Sequence, residues 1–79
     1  MSSYVESPAT VIKAVFQGLS SPGSVSVQGL QVGDAIIKII PNGFELGFEE
    51  VVSVAGQVQQ TTLLDWSSVQ FTFYLLRGV

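Results

Sequence analysis

Few residues in this chain could carry catalysis. The sequence contains neither histidine nor cysteine, so a Ser–His or Cys–His nucleophile cannot form. A Ser–Lys pair built on Lys13 or Lys38 is formally possible. Both lysines lie inside apolar segments with the texture of strands, however, and a charge facing solvent is the simpler interpretation. We therefore expect no enzymatic activity.

The carboxylates offer no better catalytic pair. Two carboxylates can hydrolyse a glycoside, but Glu49 and Glu50 are adjacent, and neighbouring residues of a strand point to opposite faces. Glu45 and Glu49 would share a face of an unbroken strand, where a charged edge or loop is the plainer interpretation. Asp34 and Asp65 each stand alone among turn residues, where Asp normally closes or caps the turn. We expect no metal ion and no cofactor.

Length and composition indicate that the chain associates with other chains. Its 79 residues suffice for one domain, and a domain of this size buries only about 60–65% of the surface of its unfolded chain. Disulfides are impossible, and charged residues make up 11% of the sequence against about 25% in typical soluble domains. Partner subunits are the remaining way to stabilise so small a core.

Charge and hydropathy exclude two classes of partner. The net charge is −3, with only three basic side chains, and nucleic-acid binding depends on neutralising phosphates with Lys and Arg. The densest apolar run, residues 71–76, is far shorter than the roughly 20 residues of a membrane-spanning helix. Residues 1–10 contain no basic residue and no apolar core typical of a signal peptide. We expect a protein made in a cytoplasm that binds neither nucleic acid nor membrane.

The apolar segments predict short strands. They are rich in Val, Ile, Phe, Thr and Tyr and are interrupted by Gly or Pro, which favours strands separated by turns. Turns are predicted at 21–23 and 41–43, where Pro and Gly supply the backbone angles, and a single helical turn is plausible at 65–68. The predicted strand segments are 10–17, 24–28, 34–40, 44–55, 57–62 and 69–77, of which 44–55 is expected to be a long or a broken strand.

These segments predict an all-β fold. Six or seven short strands with regularly spaced turns are typical of a small antiparallel β-sandwich or barrel. Residues 1–9 contain Pro8 and no alternation, so we expect a flexible N-terminal arm, followed by a single β domain over residues 10–79. The arm is expected to become ordered against a neighbour.

The last strand segment suggests where a partner would bind. Phe71, Phe73 and Leu75 share one face, whereas Thr72, Tyr74 and Leu76 share the other. A strand that is apolar on both faces is covered on both sides, and the second cover is either another chain or the domain's own loops. Segment 34–40 has the same character. We expect each of these two strands to divide its faces between the core and an interface, and the arm to contribute to the interface as well. The candidate interface residues are Tyr4, Val5, Ile36, Ile37, Ile39, Phe71, Phe73, Tyr74 and Leu75.

Three stretches carry a resemblance to a known type of protein. They are VQGLQVGDAIIKII (27–40), FEEVVSVAGQVQQTT (48–62) and DWSSVQFTFYLLRG (65–78). In their order and residue pattern, these stretches resemble small β-rich bacteriophage virion proteins. The shared features are a Gly-Leu-x-x-Gly-Asp turn that leads into an apolar strand and a last strand that ends in Leu-Leu-Arg. The likeness spans roughly residues 24–78.

The resemblance implies a structural role in a phage particle. The chain would be a capsid decoration (cement) protein or another head or tail protein, made in the bacterial cytoplasm and located in the virion. Such proteins carry no cofactor and bind a further virion protein, such as the capsid protein. They work as homo-oligomers, and the similarity to lambda-type decoration trimers favours a trimer here.

A small β-sandwich binding module that recognises a carbohydrate or receptor is the alternative from another class. Its signature would be exposed aromatic side chains in loops, and only Trp66 and Tyr4 lie in predicted loops. A Trp at a corner between strands is more often part of the core than a platform for a sugar. We therefore expect Trp66 to be buried against the core.

Overall fold

A computed structural model describes residues 3–4 and 9–77 of the chain. The elements, in chain order, are β1 (Thr10–Gln17), β2 (Gly23–Ser26), β3 (Ala35–Ile40), a 3-10 helix (Glu45–Gly47), β4 (Gln57–Gln60) and β5 (Gln70–Arg77). The prediction of a small all-β fold is confirmed. The predicted arm at 1–9, with Val5, falls largely outside the described residues.

The strands form two antiparallel sheets that do not close into a barrel. The larger sheet has the order β1-β5-β3, so the last strand lies between the first and the third. Its register pairs Thr10 with Arg77 and Gln17 with Gln70. The smaller sheet pairs β2 with β4. Long-range pairing of β1 with β5 therefore joins the two ends of the described domain.

One core lies between the two sheets. Buried and more exposed positions alternate along β1 and β5, as the period of a strand requires, whereas the register shift in β3 interrupts its alternation. The core residues come from both sheets and from the connections between them. They are Ala14, Phe16, Val25, Leu30, Ile39, Phe48, Val52, Val58, Phe71, Phe73 and Leu75.

Segment 44–55, expected to be a long or broken strand, pairs through single bridges only, and the described residues form five strands where six or seven were expected. After the turn at Gly43, which has a φ of 96° that favours glycine, residues Glu45–Gly47 form a 3-10 helix. Only single bridges follow, from Phe48 to Gln60 and from Val51 to Ala35. The chain here crosses the end of the core and inserts the rings of Phe44 and Phe48 into it.

The expected helical turn at 65–68 is also wrong. Asp65 closes a turn instead, because its Oδ1 accepts hydrogen bonds from the Ser67 backbone N–H at 3.0 Å and from the Ser67 hydroxyl at 2.6 Å. These two bonds hold the pKa of Asp65 below its usual value. The turn directs Trp66 back toward the core.

Candidate protein-contact surface

All five phenylalanines and the single tryptophan join one aromatic cluster at the end of the core. Trp66 packs edge-on against Phe44, with ring centroids 4.8 Å apart, and also contacts Phe48 and Phe71. Its half-buried indole lies over Gly47, where an added Cβ would overlap the ring. Trp66 therefore serves as a core residue.

Two buried polar side chains hold neighbouring loops in place through hydrogen bonds, and we call these two sets of bonds the polar locks. Gln60 is 2% exposed; its Oε1 accepts from Leu19 N and its Nε2 donates to Leu19 O, both at 2.9 Å. Asp34 is 1% exposed and accepts from Nε and Nη2 of Arg77 at 2.8 and 2.6 Å, and from Gln31 N at 2.9 Å. Chiefly through the hydrogen bonds from Arg77, the pKa of Asp34 is held below its usual value of 3.8.

The sequence did not predict either lock. Gln60 belongs to the most polar strand segment, which gives no sign that one of its glutamines is buried. Asp34 does close a turn through Gln31 N, as expected, but its partner Arg77 is 43 residues away. An acidic residue at the start of one strand and a basic residue at the end of another were the available signals.

The three glutamates considered for catalysis border one groove of about 210 Å³, together with Leu46 and the part of β3 that contains Lys38. Glu49 and Glu50 lie outside the strands, so they do not point to opposite faces of a sheet as expected from the sequence. Glu49 is engaged structurally, because its Oε2 accepts from the Ser53 hydroxyl at 2.8 Å and its Oε1 from Gln59 N at 3.3 Å. Within residues 3–4 and 9–77, no three acidic side chains are grouped closely enough to hold a metal ion.

The outer face of the larger sheet combines exposed apolar side chains with positive charge. The register places its residues in three rows, each of which crosses β1, β5 and β3. Leu76 lies between Val11 and Ala35, Tyr74 between Lys13 and Lys38, and Thr72 between Val15 and Ile40. We call these nine residues the outer face. Val11, Val15, Ile40 and Leu76 are exposed apolar side chains. The face contains two of the three cations of the chain and no carboxylate.

The predicted interface residues divide between this face and the core. Phe71, Phe73 and Leu75 have no exposed surface, and Ile39 is 4% exposed, so these four are enclosed by the subunit itself. Tyr74 lies half-buried at the centre of the outer face. The remaining described candidates are Ile36, half-buried in the bulged part of β3, and the exposed residues Ile37 and Tyr4.

Among the described residues, no helix has the length and apolar character needed to cross a membrane. Comparison of the chain with protein-family models, with curated proteins and with solved structures gives no match. A functional assignment therefore depends on the residues and surfaces described above.

Proposed function

We propose that this chain is a non-enzymatic structural protein of a phage particle, a capsid decoration protein or a related head or tail component. The observation that carries the proposal is the outer face, which exposes apolar side chains around two lysines. An exposed apolar patch bordered by polar groups is typical of a protein-binding surface. The resemblance of residues 24–78 to small virion proteins supplies the kind of assembly.

The chemistry of the outer face defines its partner. Lys13 and Lys38 lie on either side of Tyr74, with no carboxylate among the nine residues. Lys38 also borders the groove that the three glutamates line, so Lys13 is the positive charge more available to the partner. A complementary surface is apolar at its centre and carries carboxylates opposite the two lysines, since potentials across interfaces tend to be complementary. A capsid protein with such a surface is the proposed partner. Self-association is also part of the proposal, and the resemblance favours a trimer.

The alternative binding module has less support. The phenylalanines and Trp66 are committed to the aromatic cluster, so they form no open platform on which a sugar could stack. Of the two tyrosines, Tyr74 is half-buried between lysines, and Tyr4 lies near the start of the chain. Apart from Tyr4, the exposed large apolar side chains are aliphatic, which suits a protein partner better than a carbohydrate.

A co-sedimentation assay with purified phage particles lacking this chain tests the proposal. The wild-type protein is expected to bind until the sites are saturated. Tyr74→Asp is expected to remain folded and to lose binding, because a carboxylate between Lys13 and Lys38 makes the centre of the outer face polar and offsets the positive charge that the partner would recognise. Ser24→Asp, on the exposed side of β2, is the matched control. Equal binding by Tyr74→Asp and Ser24→Asp contradicts the role of the outer face.

A further inference from the structure

The free edge of β1 presents main-chain groups that no described segment pairs with. β1 is the first strand of the β1-β5-β3 sheet, and Gly18 N donates to Val69 O at 2.9 Å. Hydrogen bonding alternates along an antiparallel pair, so the even-numbered residues of β1 bond to β5. The main-chain N–H and C=O groups of Val11, Lys13, Val15 and Gln17 therefore point away from the sheet.

The other edge of the sheet is protected, whereas β1 is not. β3 has a register shift between Ile36 and Lys38, and its first residues are covered by the segment that follows the 3-10 helix, through Ile36 N to Glu50 O at 2.9 Å. β1 pairs over eight residues without a register shift or proline, and its one charge, Lys13, lies on the outer face. Proteins normally protect a long, regular edge strand.

Space for a further strand lies beside this edge. A groove of about 420 Å³ runs between β1 and residues 26–30. Its lining includes Ile12 and Ala14 from the inward side of β1, and Val27 and Leu30 opposite them. A strand added to β1 would lie along this groove, with its inward-facing side chains beside Ile12 and Ala14, as expected when a strand is added to an exposed sheet edge.

We propose that β1 pairs with β1 of a second copy of this chain, antiparallel and about a two-fold axis, to form a continuous six-stranded sheet. The inference rests on the self-association proposed above, but it gives a two-fold pair in place of a trimer. The second copy presents an edge of the same length, with its free N–H and C=O groups at the same spacing along the strand. Pairing uses both unprotected edges, leaving the bulged β3 strands outermost, so the assembly closes.

The charge on β1 selects the register. The free main-chain groups belong to odd-numbered residues, so in an antiparallel pair odd-numbered residues of one copy must lie opposite odd-numbered residues of the other. The two-fold axis then passes through a residue, and only an axis at Lys13 or Ala14 allows most of the strand to pair. An axis at Lys13 would place two ammonium groups directly opposite each other, which is destabilising. An axis at Ala14 instead pairs Lys13 with Val15 of the second copy and Val11 with Gln17. The structure thus assigns Ala14 to the axis.

Single cysteines test this register cleanly, because the chain has none of its own. At a non-hydrogen-bonded antiparallel pair the two Cα atoms are about 4.5 Å apart, within the disulfide range of roughly 4.4–6.8 Å. Ala14→Cys is therefore expected to form a covalent dimer under mild oxidation. Lys13→Cys, which marks the other register, and Thr72→Cys, which marks contact between outer faces, are expected to cross-link at least about tenfold more slowly.

Val15→Pro provides a second variant that does not depend on a cysteine in the core. It removes an N–H at the free edge, where proline is tolerated, without removing a bond to β5. This variant is expected to keep its β-type circular dichroism and to be monomeric in light scattering at concentrations where the wild type is dimeric. Val15→Thr, which retains the N–H and the β-branched shape, should remain dimeric.

Several results would overturn the pairing. They are a wild-type monomer or trimer, faster cross-linking of Lys13→Cys or Thr72→Cys than of Ala14→Cys, and an unchanged dimer in folded Val15→Pro. Binding to phage particles is measured separately. A chain that binds particles without pairing through β1 contradicts this inference alone, whereas a chain that pairs but never binds particles contradicts the proposed function.

Discussion

Substitution of Gly47 by alanine tests whether Trp66 is held in the core by a close fit. A Cβ at position 47 would overlap Cη2 and Cζ3 of the indole and lie 3.2 Å from Cζ2. Carbon atoms normally approach to about 3.5–4.0 Å, so the ring must move by roughly 1 Å or more. It cannot move freely, because Phe44, Phe48 and Phe71 surround it.

The expected cost of Gly47→Ala follows from this crowding. Overpacking a well-filled core costs about 1–3 kcal/mol, and the reduced entropy of the unfolded chain returns about 0.4–1 kcal/mol. A net loss of about 1–2 kcal/mol should lower the thermal midpoint of a domain of this size by roughly 5–15 °C. Since Trp66 is the only tryptophan, its emission should also shift to longer wavelength as the ring moves toward water.

Gly23→Ala is the matched control for this experiment. A Cβ there meets only Leu19 Cδ1, at an ordinary contact distance of 3.5 Å, so its stability should equal or slightly exceed that of the wild type. Thermal unfolding followed by circular dichroism and by fluorescence compares the two variants. Equal midpoints together with unchanged Trp66 emission would refute the close fit and reopen a role for Trp66 outside the core.

Two further predictions concern the polar locks, and one concerns metal content. Gln60→Leu should lose about 1–3 kcal/mol in urea unfolding, because Leu19 N is left without its acceptor; Gln59→Leu is the control, and equal losses would be inconsistent with the lock. Because the pKa of Asp34 is lowered in the folded protein, its ionised carboxylate stabilises the fold at pH values above 3.8, the pKa of the unfolded chain. This stabilisation is lost as the pH falls below 3.8. Asp34→Asn should therefore flatten the decline of the urea midpoint between about pH 5 and pH 3, and an unchanged slope would argue against it. Elemental analysis should find no stoichiometric transition metal that survives chelation; finding one would contradict the expected absence of a metal site.

The local features of this fold follow from the sequence because they depend on strand periodicity. The alternation in β5 predicted that Phe71, Phe73 and Leu75 would share a face, and all three are fully buried. The limits of β1 were predicted to the residue, since Gly18 follows a run of β-branched and aromatic residues. Such patterns report which face of a strand is buried, irrespective of its partner.

Features that depend on distant residues could not be predicted in this way. The pairing of β1 with β5 and the contact between Asp34 and Arg77 join positions far apart in the chain. Segment 44–55 has the composition of a strand, but the fit of Gly47 beneath Trp66 is a tertiary contact that no local pattern contains. The outer face became visible only when the register placed Lys13 and Lys38 beside Tyr74.

The copy number of this chain in purified phage particles is the most direct test of the central claim. Quantitative mass spectrometry of particles that have been washed at high salt and banded by density would compare this chain with the major capsid protein. A structural component should be present at a fixed, reproducible ratio to that protein, in many copies per particle. A chain that is absent from the particles, or whose ratio falls toward zero with each wash while it accumulates in the soluble fraction, would contradict the account.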